Sequence, residues 1–329
     1  MTHGSGGRTM AQLIDELFVH HFDNDLLRQG NDQAAFDIPA GRLVMSTDGH
    51  VISPLFFPGG DIGSLSVHGT LNDVAMAGAQ PLYLSAGFIL EEGFPLADLE
   101  RIVASMGRAA KSAGVPVVTG DTKVVERGKG DGVFITTTGV GIVPSGVNVS
   151  GDRARPGDAI LLSGSIGDHG VAIMSSRENL TFETSIESDS AALHTLVARM
   201  VEQAPGIHCL RDPTRGGLAT TLNELARQSM VGMRLQEPAI PVRPEVAAAC
   251  ELLGLDPLYI ANEGKLVCIC AAEDAAPLLE TMRTHSLGKN AALIGEVIED
   301  RSGLVQMETG FGGSRVVDWL VGEQLPRIC

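Results

Sequence analysis

Val115-Pro116-Val117-Val118-Thr119-Gly120-Asp121-Thr122-Lys123 is a β-branched run that discharges into an acidic residue. The same order occurs earlier, where Leu43-Val44-Met45-Ser46-Thr47-Asp48 is an apolar strand ending in a carboxylate. Helical patterns lie between the two. Leu71-Asn72-Asp73-Val74-Ala75-Met76-Ala77-Gly78-Ala79 is a small-residue helix broken by one polar pair. Leu99, Ile102, Val103 and Met106 recur at helical spacing. Pro81 to Leu90 and Val133 to Ile142 read as further strands. The second half restarts with Ala159 to Ser163, running into Gly164-Ser165-Ile166-Gly167-Asp168-His169-Gly170. A helix is expected near 188–203. Arg211-Asp212-Pro213-Thr214-Arg215-Gly216-Gly217 then opens another, with Thr214 as its expected N-cap. A tight Asn262-Glu263-Gly264 turn and a strand at Leu266 follow. Strand and helix alternate in both halves, so the fold class is α/β (α+β), with two mixed domains.

Pro144, Ser145, Gly146, Gly151, Pro156 and Gly157 cluster between the halves and mark a boundary. The expected organisation is a glycine loop and helix over 1–40, a first α/β domain over 41–148, a second over 149–306, and a mobile tail over 307–329. The opening helix carries Met10, Leu13, Ile14, Leu17 and Phe18 on one face, after the loop Gly4-Ser5-Gly6-Gly7. Such a loop can offer backbone N–H groups to an anion. The tail bends at Gly310, Gly312 and Gly313 and ends in Pro326-Arg327-Ile328-Cys329. A thiol on the last residue of an extended, proline-stiffened arm is a nucleophile on a tether.

The chain has 329 residues and is 44% hydrophobic, enough for two cores. Its net charge of −16, with no basic stripe, argues against nucleic acid, whose phosphates demand a cationic surface. No run of 18 apolar residues suggests a membrane span. Five cysteines, an odd number without a Cys-x-x-Cys pair, fit a reducing cytoplasm. Cys268 and Cys270 lie on one face of a strand, as core thiols. No Walker loop or dinucleotide fingerprint is present.

The chemistry concentrates in carboxylates. Asp48, Asp121 and Asp212 stand at expected strand ends or loop-to-helix junctions, and Asp73 sits in the polar break of an apolar helix. Oxygen ligands of this kind suit magnesium, which shares its coordination with phosphate. An acidic chain can hold a polyphosphate in that way.

These stretches together, from Gly4-Ser5-Gly6-Gly7 through Leu71–Ala79, Thr119–Lys123, Gly164–Gly170 and Asp212–Gly217 to the Pro326–Cys329 end, resemble the HypE family. Those are the carbamoyl dehydratases of [NiFe]-hydrogenase maturation, within the superfamily of aminoimidazole ribonucleotide synthetase and selenophosphate synthetase. A selenophosphate synthetase would carry cysteine or selenocysteine near the glycine loop, and no cysteine precedes Cys209. The resemblance implies two domains of the synthetase type, the first pairing across a homodimer into a strand barrel, with ATP and Mg2+ bound between domains. It implies that Cys329 receives a carbamoyl group from a HypF-type carbamoyltransferase. ATP would drive its dehydration to a thiocyanate, and the nitrile would pass to iron on a HypC–HypD scaffold. It places Asp48, His50, Asn72, Asp73, Asp121, Gly164 and Asp212 at the nucleotide, with the four aspartates on the metal. Glu263 is the candidate base, and Lys123 offsets phosphate or oxyanion charge. The alternatives are a non-catalytic scaffold whose tail docks to a maturation partner, or another ATP-using synthetase of the same superfamily.

Overall fold

The structure, a computed structural model, describes residues 7–178, 186–204 and 206–322. Gly4, Ser5, Gly6 and the terminal Cys329 lie outside the described residues.

In the first domain, β1 (Arg42–His50), β4 (Gln80–Glu91), β5 (Val117–Val125) and β6 (Val133–Val143) form one sheet in the order β1-β6-β4-β5. A small ladder of β2 (Phe56–Phe57) and β3 (Gly60–Asp61) precedes the helix Ile62–Ala75. Only β4 and β5 run parallel, joined over the sheet by the helix Leu96–Ala113. Alternation along the strands buries Leu84, Ala86, Phe88, Leu90 and Ile135 on one face, against Leu65 and Leu71 of the first helix and Ile102 and Met106 of the second. Each such side chain contributes about 1.5–3 kcal/mol on leaving water. The opening helix, Arg8–Leu13 continuing through Ile14–Val19 and His20–Phe22, adds Leu17 and Phe18, and the Phe18 ring meets Phe88 edge-on at 5.0 Å.

The helix Ile62–Ala75 starts where Asp61 accepts hydrogen bonds from the Gly63 and Ser64 amides at 2.8 and 3.0 Å. Ser64 Oγ accepts from the Asp61 amide in return, completing a capping box. Small residues let the two helices touch: a Cβ on Gly63 would stand 2.2 Å from the Ile102 carbonyl oxygen.

The second domain is a seven-stranded sheet. Its strands are β7 (Ala159–Leu162), β8 (Ile207–Arg211), β9 (Gly232–Gln236), β10 (Val267–Cys270), β11 (Ala292–Ile298), β12 (Val305–Glu308) and β13 (Ser314–Val316), ordered β13-β12-β9-β11-β7-β10-β8. β7 and β10 are buried at every residue because both faces are covered. Gly217–Ser229 packs Leu218, Leu222 and Leu225 on Ile160, Val267 and Ile269. His194–Gln203 and Ala272–Thr284 pack Leu196, Met200, Leu278 and Met282 on Leu161, Cys268 and Cys270. The two cysteines thus share one buried face and are free thiols, as the spacing suggests.

Four local expectations change. Residues 307–317 do not begin the tail: β13 pairs with β12, Val317 is buried, and Asn223 Nδ2 donates to its carbonyl at 2.9 Å. The helix expected from 188 starts at His194, because the side chains and backbone of 188–193 are drawn into contacts between the domains. Thr214 caps nothing; Gly216 and Gly217, at φ of 76° and 61°, turn the chain into the helix instead. β5 does not stop at Asp121 but runs on to Val125, which matters for the site.

Gly63→Ala should overpack the helix crossing and cost about 1–3 kcal/mol. The check is a lower urea midpoint with an unchanged denaturant slope.

Candidate active site

Strand register decides which side chains meet. Asp48 on β1 is level with Thr137 on β6, Ala86 on β4 and Gly120 on β5, a row that faces the helix Ile62–Ala75. Ser46, two residues earlier, shares that face and donates its hydroxyl to Asp73 Oδ2 at 2.8 Å. Asp73 thereby stands beside Asp48 although the two come from different elements. His50 lies deeper on the same face. Thr137 Oγ1 gives its proton to the Ser66 carbonyl at 2.9 Å, so His50 Nε2, 3.2 Å away, is the donor to that oxygen. Burial holds the His50 ring below its ordinary pKa, partly opposed by Asp48. It is a neutral packing group under the carboxylates.

The second domain brings Asp212, directly after β8, and Glu263 from the loop before β10. Asn262 stitches this side together: its Oδ1 accepts from the Gly167 amide at 2.8 Å, and its Nδ2 donates to Pro213 and Ile260 carbonyls at 2.9 and 3.0 Å. One amide ties the Gly164–Gly170 turn, the Asp212 loop and the Glu263 loop. Gly164 itself leaves room for Lys265, whose Cε would lie 3.2 Å from an added Cβ.

Asn72 joins the domains. Its Nδ2 donates to the Ala191 and Glu263 carbonyls at 3.0 and 3.2 Å, while its Oδ1 accepts from the Leu193 amide at 2.8 Å. Asp73, next on the helix, is thereby brought to the second domain's carboxyls.

Their electrostatics record the encounter. Asp212 is pushed from 3.8 to about 7, first by burial and then by Asp73, with Asp48 adding a smaller push. Glu263, only 3% exposed, is driven well above the ordinary range by burial, then by Asp212, Asp189, Asp48 and Asp73. Asp73 is raised by partial desolvation, against the lowering bond from Ser46, and keeps an open side to solvent. Arg211, itself paired with Glu224 at 2.6 Å, opposes the shifts of Asp73 and Asp212, and Arg215 opposes that of Asp73. Glu263 Oε1 is buried without a hydrogen-bond partner among the described residues. Such a group is expensive to keep and calls for a ligand.

Asp48, Asp73, Asp212, Glu263 and Asn72 are brought together. Asp121 and Lys123 are not. Because β5 continues, Gly120 is the residue level with Asp48, and Asp121 falls one step out of phase, level with Gly87, Thr136 and Gly49 on the opposite face. There Lys123 Nζ pairs with Asp121 Oδ2 at 2.8 Å, both well exposed. Among the described residues no three His, Cys, Asp or Glu side chains form a metal cage. Asp48, Asp73 and Asp212 still fit magnesium held jointly with phosphates, since their mutual repulsion asks for a cation and magnesium needs only one or two protein carboxylates. Sequence reasoning left out Ser46, Arg211, Arg215, Asp189 and Lys265. The only trace of the arginines was their place around Asp212 in Arg211-Asp212-Pro213-Thr214-Arg215.

Two mixed α/β domains with a carboxylate-lined seam define a class. The N-terminal domain of AIR synthase related proteins matches residues 30–143, and the C-terminal domain matches residues 155–308. Within it, the chain is 74% identical over its whole length to carbamoyl dehydratase HypE of Cupriavidus necator, covering 94% of that protein. A crystal structure of hydrogenase maturation protein HypE in complex with ATP matches at TM-score 0.97 and 55% identity, over 100% of this chain and 99% of that one. A HypE–HypF complex matches at TM-score 0.83 and 49% identity, over 94% and 99%. The chain belongs to the HypE family of carbamoyl dehydratases.

Without ligand, Asp212 holds a proton in the folded state that the unfolded chain has lost between pH 4 and about 7. Stability must therefore fall as pH rises through that window. Asp212→Asn should reduce the fall by on the order of 2 kcal/mol, allowing for the carboxyl's remaining exposure. Urea midpoints at pH 5 and pH 8 read this directly, and Mg2+ with nucleotide should flatten the wild-type slope.

Proposed function

We propose that the chain is an ATP-dependent carbamoyl dehydratase acting on its own terminal thiol. The observation that carries the reading is Glu263, a buried carboxyl with one oxygen unpartnered among the described residues, grouped with the seam's other three carboxyls. Burial and its neighbours' charge give Glu263 a high proton affinity, and it would act as a base once bound magnesium offsets that charge. The ATP-bound relative supports a nucleotide in this family, and the HypF-bound relative supports a carbamoyl donor as partner.

The chemistry follows from the amide. A carbamoyl group on Cys329 has an oxygen that is a poor leaving group. When that oxygen attacks the terminal phosphorus of ATP, ADP departs and the oxygen becomes part of a phosphate ester. Glu263 removes one N–H proton as the C=N bond forms. The C–O bond then breaks, the second N–H proton is lost, and phosphate leaves with the former amide oxygen. The products are S–C≡N, ADP, hydrogen phosphate and one proton. Asp48, Asp73 and Asp212 would hold magnesium, which neutralises the phosphates. Arg211 and Arg215 face the same charge from the rim. The nitrile is then a cyanide source for iron on a HypC–HypD scaffold. Four buried free cysteines suit the reducing cytoplasm in which such chemistry would run.

The first domain presents Leu43, Met45 and Ile89 to solvent, 54%, 68% and 42% exposed, on the same outer sheet face as Asp121 and Lys123. A second copy covering that face would form the homodimer and close the barrel. Only in that pairing would Asp121 and Lys123 approach a nucleotide.

Two outcomes are expected. Incubated with a HypF-type carbamoyltransferase, carbamoyl phosphate and Mg-ATP, the protein should gain a carbamoyl adduct and then lose one water by intact mass. Asp73→Asn and Glu263→Gln should stall at the heavier mass, and Cys329→Ala should gain nothing. A scaffold would instead form no adduct and keep its function in the alanine variant. Met45→Asp should shift the protein from dimer to monomer by light scattering, without loss of secondary structure.

A further inference from the structure

The loop that carries Glu263 is held by a residue the reaction does not itself require. Asp189 is buried, its side chain 5% exposed, and sits in the segment that bridges the domains. Its Oδ1 accepts from the Glu263 amide at 3.1 Å, and its Oδ2 accepts from the Gly264 amide at 3.2 Å and from Lys265 Nζ at 2.9 Å. Three consecutive residues thus converge on one carboxylate. The approach is close: a Cβ on Gly264 would stand 1.8 Å from the Asp189 carbonyl oxygen. The other side of Glu263 is equally occupied, its carbonyl accepting from the Ala191 amide at 3.3 Å and from Asn72 Nδ2 at 3.2 Å. Ser188 fastens the same segment to the first domain, its amide donating to the Pro58 carbonyl at 2.8 Å, and His68 Nδ1 lies 2.9 Å from Ser190 Oγ.

We infer that Asp189 is a positioning residue for the dehydration step, clamping the backbone of Glu263 so that its free carboxyl oxygen is presented at a set place in the seam. The inference rests on Glu263 being the base. Lys265 supplies the counter-charge that makes a buried aspartate tolerable, and it draws the Asp189 carboxyl below its ordinary pKa despite burial. The backbone contacts do the aiming. A base displaced by 1 Å loses about 10²-fold in rate, whereas a salt bridge that only stabilised the fold would leave the rate per folded molecule unchanged.

The test separates those two roles. Asp189→Asn alone replaces an acceptor with an NH2 group facing donors and strands Lys265, so it is expected to lower stability as well as rate. The double variant Asp189→Asn/Lys265→Met removes both charges. Its urea midpoint should return close to wild type. Carbamoyl loading of Cys329 and the KM for ATP should stay within about twofold, while the single-turnover dehydration rate drops about 10²-fold. Amide exchange at Glu263 and Gly264 should accelerate at least about tenfold with the rest of the protection pattern unchanged.

A stable double variant with wild-type dehydration and wild-type exchange would overturn the inference. So would a raised KM for ATP at an unchanged rate, which would place Asp189 with the nucleotide instead. If wild type itself formed a carbamoyl adduct and never dehydrated it, the dehydratase reading would fail with this inference. The exchange data would then show whether Asp189 holds the loop for some other chemistry.

Discussion

The amide of Asn72 is shared by both domains, and the site exists because of it. From a helix packed on the first sheet it reaches across to two carbonyls and one amide of the second domain. The bonds to Glu263 and Leu193 are buried and the one to Ala191 partly so, and a buried bond is not replaced cheaply by water. Asp73 is the next residue on the helix, and Glu263 is one of the groups Asn72 holds. The same side chain that joins the domains therefore sets the spacing between the carboxylate at the mouth and the carboxyl at the back.

That spacing produces a site in electrostatic debt. Asp48 raises the proton affinity of Asp73, Asp212 and Glu263, Asp73 adds to it at Asp212 and Glu263, and the rim arginines offset only part of it at Asp73 and Asp212. A cluster of this kind is less stable empty and ionised than filled by a cation, so ligand binding and stability are linked through the same groups. The cost is confined to the seam. Away from it the two domains are ordinary layered α/β structures with buried apolar cores, and one sheet face of the first domain is left open at Leu43, Met45 and Ile89.

Much of this was legible along the chain. Strand and helix patterns gave the two mixed domains, and the polar break at Asn72-Asp73 marked where a helix face leaves the core. Cys268 and Cys270 could be placed on one buried face from their spacing alone. The errors share a cause. Asp121 was read as the end of a strand, but β5 continues, and in an extended chain one residue of phase moves a side chain to the other face. Thr214 looked like a cap because its residue type is right for one, while two glycines with positive φ made the turn. The glycines at 310–313 looked like a swinging arm and instead turn a hairpin, with Thr309 and Gly313 bonded across it.

The sequence by itself determined the family, the alternation of strands and helices, and the identity of most of the acidic groups, because residue type and local periodicity act over a few positions. Only the tertiary structure decided which of those groups meet. Register placed Gly120 rather than Asp121 beside Asp48, and the bridging segment put Asp189 under a loop 74 positions away in the chain. Contacts between residues that far apart are selected by the packing of whole sheets, and no window of sequence contains the partners that choose them.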